Sequence, residues 1–167
     1  MDPSSSTGSN MFRPLRSLHG QDHDAVVEIY RQAVLGSTAA LYTSQQQQAW
    51  AEQCQALRSQ LQQGEGFVVC DQHDQPQAFS LRLPSDRLAL LYCHPAAQRH
   101  GCGQRLIEAI EHSAKGHGIH SLRTEASLIS KPLFERLGWQ VSWREELRIG
   151  GVSFERFRMH KPLGQGY

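Results

Sequence analysis

Between residues 26 and 34, Val26, Ile29, Tyr30, Ala33 and Val34 recur at i, i+3, i+4, i+7 and i+8, the stripe of one helical face. Asp22 or Asp24 supplies a cap, and the helix is expected to stop near Gly36. The glutamine-rich "SQQQQAWAEQCQALRSQLQQG" resembles low complexity, yet Trp50, Cys54, Leu57 and Leu61 share a face and predict a second helix ending at Gly64. The period then changes. "GFVVCD" and "QAFSLRLP" are β-rich runs around the turn-like "QHDQPQ", which predicts a hairpin, and "RLALLYCHP" reads as a buried strand ended by Pro95.

A third helix carries Leu106, Ile107, Ile110 and Ala114 on one face and exits through "KGHGIH". "SLRTEAS" follows as a strand and "SKPLFERLG" as a short helix, with Ser130 as cap, Pro132 in the first turn and Gly138 just past the end. The final strand pair turns at "GG". There Val152 and Phe154 share one parity and Phe157 and Met159 the other, which predicts a bulge near Glu155 and Arg156. At the other end, "FRPLR" opens the domain as a short strand.

At 167 residues the chain fits one domain, over residues 11 to 163. Residues 1–10 are Ser/Gly-rich and read as a flexible tail or an expression leftover, and residues 164–167 as a C-terminal tail. The 17 basic and 16 acidic residues nearly cancel, which argues against nucleic acid and acidic membranes as partners. No apolar run approaches a membrane span and the start lacks a signal-peptide pattern, so a cytoplasmic protein is expected. Cys54, Cys70, Cys93 and Cys102 lack paired short spacings, which suggests reduced thiols. Nor do His94, His100, His112, His117 and His120 show zinc spacing, so no metal is expected; His94 and His120 are reserve bases near the cleft.

"QRHGCGQRL" sits between the buried strand and the third helix. Strand, glycine loop and helix can bind a phosphate, because the first helical turn leaves unpaired N–H groups that glycines expose. Gly101 and Gly103 can equally serve only a tight turn. The stretch is neither a Walker A loop nor a dinucleotide fingerprint.

The order of elements, "QRHGCG" and the helix ending "LFERLGW" together resemble the GNAT acyl-CoA N-acetyltransferase superfamily, over residues 11 to about 162. "YTSQQQQAWA" is similar to a segment of a bacterial subgroup with poorly defined substrates. The resemblance implies an α/β (α+β) fold: a mixed, mostly antiparallel sheet flanked by about four helices, with splayed central strands. It implies that the amides of Arg99, His100, Gly101, Cys102, Gly103 and Gln104 wrap the pyrophosphate of acetyl-CoA, with Gln98 bracing the loop. Leu91, Tyr92 and Cys93 would offer backbone groups to the pantetheine arm, one of them as an oxyanion-type donor. Ser127 stands where the family often has a pantetheine-binding Asn, and Phe134 where it often has a proton-donating Tyr. Ala89 occupies a place where related enzymes carry an acid.

An alkyl ammonium with a pKa of about 10.4 must lose a proton before it attacks. Glu125 is the first candidate for base, its alternative being an ordinary paired strand carboxylate. Tyr92 and Tyr42 are candidates for proton donor or substrate contact, or else amphipathic packing residues. The expected function is acetyl transfer from acetyl-CoA to a primary amine of a small molecule or peptide in a ternary complex. The alternative is a non-catalytic acyl-CoA sensor, which Phe134 and Ala89 favour. The acceptor is expected to be recognised by the segment from Gly36 to Gly64, and the exposed C-terminal strands could carry a second copy as a homodimer.

Overall fold

The computed structural model describes residues 11–164; the tail assigned to residues 1–10 lies outside them, as does all but the first residue of the tail assigned to 164–167. Seven strands form one sheet in the order β1-β2-β3-β4-β5-β7-β6. The strands are β1 (Arg16–Ser17), β2 (Glu65–Cys70), β3 (Pro76–Arg82), β4 (Arg87–Cys93), β5 (Ser121–Ala126), β6 (Gln140–Ile149) and β7 (Val152–Pro162). All neighbours are antiparallel except β4 and β5. The mixed, mostly antiparallel sheet expected from the sequence is therefore present. Among the described residues no helix is long and apolar enough to cross a membrane.

Helices cover both faces. On one side α1 (His23–Ser37), α2 (Ser44–Ala51) and α3 (Leu57–Gln63) pack Val26, Ile29, Leu57 and Leu61 against Val68, Phe79 and Leu81. On the other, α4 (Cys102–Gly116) and α5 (Lys131–Arg136) cover Leu88, Leu122, Ala126 and Met159. Leu106, Ile107 and Ile110 are fully buried, and each such side chain contributes about 1.5–3 kcal/mol. That burial makes α4 a fixed platform.

Several local expectations are corrected. The first strand starts at Arg16 and not at Phe12, because Pro14 has no N–H for the ladder. The glutamine-rich helix is two helices joined by a 3₁₀ stretch, Glu52–Ala56, and Trp50 and Cys54 still pack against the core that Leu57 and Leu61 enter. Asp22 occupies the cap position of α1, but its carboxylate accepts from the His19 amide and the Arg16 guanidinium. Ser130 caps α5 in position only. Its hydroxyl accepts from the Ser127 amide at 3.0 Å, while the Ser127 hydroxyl accepts from the Ser130 amide at 3.1 Å.

The predicted bulge at Glu155 and Arg156 is absent. β7 keeps its register with β6 there, Glu155 against Glu146 and Arg156 against Glu145, and the irregularity falls between Val141 and Trp143 of β6. Both parities of β7 are buried for another reason: Phe154 packs beside Tyr42 and Ala49, whereas Met159 and Phe157 pack under α4 and α5. A second irregularity bears on the site. Leu81 pairs with Leu90 and Arg82 with Leu88, which leaves Ala89 as an extra residue that bends β4.

Candidate active site

Beside that bend, β4 and β5 part company. They pair only at Arg87↔Arg123 and Leu88↔Thr124, and the Thr124 hydroxyl donates to the Leu88 carbonyl at 2.7 Å. Beyond Leu88 the β5 side of β4 has no strand beside it. The gap opens into a cavity of about 570 Å³ that reaches from the first turn of α4 to the aromatic side chains of α1 and α2. Leu91, Tyr92 and Cys93 line it, as their position on β4 predicts.

One end of the cavity is built for an anion. The first bond of α4 runs from the Arg105 amide to the Gly101 carbonyl at 3.2 Å, so the amides from Gly101 to Gln104 precede the helical ladder. They carry the positive end of the helix dipole. Gly101 (φ 79°) and Arg99 (φ 65°) both adopt the left-handed conformation, which turns consecutive amides toward one concavity. A Cβ on Gly103 would stand 2.8 Å from Leu133 of α5, so that glycine allows the helices to approach. Gln98 braces the turn, donating to the Ser37 hydroxyl at 2.7 Å. Arg99, Cys102, Gly103 and Gln104 line the cavity; His100 does not, and its ring lies against Phe12.

The other end is aromatic. Trp50 lies edge-on to Tyr42, Tyr92 and Phe154, with ring centres 5.2 to 6.4 Å apart. The Trp50 indole N–H donates to the Tyr92 hydroxyl at 3.3 Å, and the Tyr30 hydroxyl donates to the Trp50 carbonyl at 2.9 Å. Burial pushes Tyr92 up to about 12, against the weaker opposing effects of Trp50 and Tyr30, so its hydroxyl keeps its proton through the neutral range. Burial also raises Tyr42, whose oxygen accepts from the Leu128 amide at 3.0 Å.

Glu125 lines the same cavity from β5, and its carboxylate is occupied. Oε2 accepts from Arg87 Nε at 2.9 Å, and Oε1 lies 3.4 Å from an Arg158 guanidinium nitrogen. Arg158 also donates to Glu145 at 3.0 Å, and Glu145 pairs with Arg156. The result is a ladder of alternating charge across β4, β5, β7 and β6. Burial would raise the Glu145 carboxyl, but Arg156 and Arg158 outweigh it and hold it below the ordinary range. Glu155, a second cavity carboxylate, is held by Arg144 at 2.6 Å.

Ser127 and Phe134 also line the cavity. The Ser127 hydroxyl is engaged with Ser130, and Phe134 is buried with its ring 5.0 Å from Trp139. Phe134 therefore brings shape and no proton. His94 turns Nδ1 to the Ala96 amide at 3.1 Å and, like His120, is not part of the cavity wall. Trp50, Tyr30, Arg87 and Arg156 were not anticipated as site residues. Trp50 could have been found as the one aromatic on the helical stripe of the segment expected to meet the acceptor; the arginines carry no such signal, because their partners are set by strand register.

Comparison with known proteins agrees with this geometry. The family described as acetyltransferase (GNAT) domain matches residues 38–161. The uncharacterized N-acetyltransferase YafP of Escherichia coli K12 is 26% identical over 150 residues, covering 89% of this chain and 95% of its own. The crystal structure of a GCN5-related N-acetyltransferase from Rhodopseudomonas palustris superposes with a TM-score of 0.83 at 25% identity, over 89% of this chain and 94% of that one. PaiA N-acetyltransferase from Thermoplasma acidophilum, solved with coenzyme A, has a TM-score of 0.69 at 17% identity, over 90% and 99% of the two chains.

Proposed function

This chain belongs to the GNAT acetyltransferase family, and from that premise we propose that it transfers the acetyl group of acetyl-CoA to a primary amine of a small molecule or peptide. The observation that carries the reading is the gap between β4 and β5 beyond Leu88, which joins an anion-binding helix start to an aromatic, carboxylate-bearing chamber. The site suits an acyl-CoA. Amides from Arg99 to Gln104 would hold the diphosphate, and the unpaired edge of β4 at Leu91 to Cys93 would hold the pantetheine arm. When bound, acetyl-CoA supplies a thioester whose carbonyl an amine can attack.

The chain's own groups then divide the work. A β4 amide near Tyr92 holds the carbonyl oxygen as negative charge develops. Tyr42, Trp50 and Phe154 wall the chamber that would receive the amine, and an aromatic wall suits an ammonium before it gives up its proton. Glu125 accepts that proton through a water, displacing one of its bonds to Arg87 or Arg158 as it does so. Tyr92, protonated and partly buried, is the group that would donate to the leaving thiolate in place of Phe134. Approximation supplies much of the rate.

A second reading, an acyl-CoA sensor without turnover, is favoured by two observations: Phe134 has no proton, and both Glu125 oxygens are engaged. Calorimetric titration with acetyl-CoA, followed by thiol release across a panel of primary amines, separates the two. Binding with amine-dependent release supports the transferase; binding without release supports the sensor. No binding overturns both.

A further inference from the structure

Two cysteines that the acyl-transfer reading does not use lie together on the cavity wall. Cys93 is the last residue of β4 and Cys102 the first of α4. Both line the cavity and pack in one small cluster with Val69, Ala78 and Leu106. The two side chains are neighbours in that cluster and both thiols are free, with the Cys93 thiol donating to the His94 carbonyl at 3.6 Å. The segment between them, residues 94–101, is the turn that leads into the anion-binding amides.

The two sulfurs are not equivalent. Cys102 stands in the first turn of α4, where unpaired amides favour negative charge. The neighbouring Cys93 chiefly, with Arg105 nearby, holds its thiol below the ordinary value despite burial. Cys93 is pushed up by the presence of Cys102 and by its own burial. A thiol at a helix start beside a second thiol that keeps its proton suits an attacking and a resolving cysteine.

We propose that Cys93 and Cys102 are a modification site: a dithiol that a hydroperoxide converts to a reversible disulfide, and whose oxidation weakens the anion-binding turn. The Cys102 thiolate attacks the peroxide, the O–O bond breaks, one oxygen becomes the sulfenic hydroxyl and the other leaves as hydroxide or alkoxide. Cys93 sulfur then attacks the Cys102 sulfur, and its proton leaves with the sulfenic hydroxyl as water. The two thiols lose two electrons, which the peroxide takes up. A disulfide requires the sulfurs to come from non-bonded contact to about 2.05 Å. Closing that distance draws the end of β4 and the first turn of α4 together and moves the amides from Gly101 to Gln104.

The cross-link stands on the cysteines alone, whereas its effect on ligand rests on the acetyl-CoA reading. The full chain, reduced or treated with hydrogen peroxide, is digested without reductant and mapped. The expected result is a peptide pair joined through Cys93 and Cys102, with Cys54 and Cys70 still free. Acetyl-CoA, which has no free thiol to reduce the bond, then binds the oxidised chain on the order of 10-fold more weakly, and dithiothreitol restores it. In Cys93→Ser, peroxide leaves Cys102 as a sulfenic acid that dimedone traps. Treated wild type with no joined peptide overturns the site, and a joined peptide with unchanged acetyl-CoA affinity overturns its effect on the turn. Reduced protein that fails to bind acetyl-CoA sinks the functional reading and leaves the mapping to decide the disulfide.

Discussion

The Gln98 side chain donates to the hydroxyl of Ser37 at 2.7 Å, across 61 residues of chain, and thereby ties the glycine turn before α4 to the last residue of α1. A neutral hydrogen bond of this kind contributes about 0.5–1.5 kcal/mol. Ser37→Ala is expected to raise KM for acetyl-CoA by about 2- to 10-fold, with kcat changed little, because the bond positions the turn and touches no reacting atom. Steady-state kinetics on the variant check this, and a fall in kcat at unchanged KM would contradict it.

Glu125→Gln keeps the shape of the cavity wall and removes the carboxylate between Arg87 and Arg158. If Glu125 takes the amine proton, kcat falls by about 10²–10⁴ with KM for acetyl-CoA changed little. Glu155→Gln, at the cavity carboxylate held by Arg144, is expected to spare kcat. Equal losses in the two variants would place the proton elsewhere.

Arg82 is a stability prediction, away from the cavity. It is nearly buried and holds Glu65 at 2.7 Å, the Ser85 carbonyl at 2.8 Å and the Ser113 hydroxyl of α4 at 3.3 Å. Arg82→Ala removes the cation from Glu65, leaving it only the Ser113 hydroxyl, and opens a polar hole between β3 and α4. A loss of about 3 kcal/mol is expected, seen in a denaturant midpoint, with acetyl-CoA affinity of the folded fraction preserved.

Acid should destabilise the fold through three carboxyls. Arg16 hydrogen bonds hold Asp22 below the ordinary value against the cost of burial. Burial would raise Glu65, but Ser113 and Arg82 outweigh it, and Glu145 behaves likewise between Arg156 and Arg158. A carboxyl depressed in the folded state adds stability that is complete above its unfolded value of about 4 and is lost as pH falls through the folded value. Urea midpoints are therefore expected to hold from neutral pH down to about 5 and to fall below about 4. Asp22→Asn should flatten part of that fall; an unchanged slope would remove Asp22 from the account.

Sequence periodicity was sufficient where one face of an element meets one core. Val26 to Val34 and Leu106 to Ala114 show it, whereas the mixed sheet was implied only by the resemblance carried by the element order, "QRHGCG" and "LFERLGW". It failed where two surfaces compete for one element. Phe154 and Met159 are buried on opposite faces of β7, so a change of parity that reads as a bulge needs none. The Glu125 partners were invisible for a related reason: Arg87 and Arg158 lie on other strands, and only the register brings them within reach. The Tyr42–Trp50 wall was hidden likewise, because Phe154 of β7 completes it from more than 100 residues away.

The two-rung junction between β4 and β5 also sets an order of assembly. As the chain emerges from the ribosome, β2, β3 and β4 can complete their ladders by residue 93, from pairings between consecutive strands. β5 then has two rungs to its left and must wait for β7, residues 152–162, before its other edge is filled. Half of the sheet is thus closed by a strand that emerges well after β4, and until then Leu122, Ala126 and Phe134 lack Met159 as their cover. A ribosome stalled before residue 152 would present a protease with a resistant N-terminal half and a cleavable remainder.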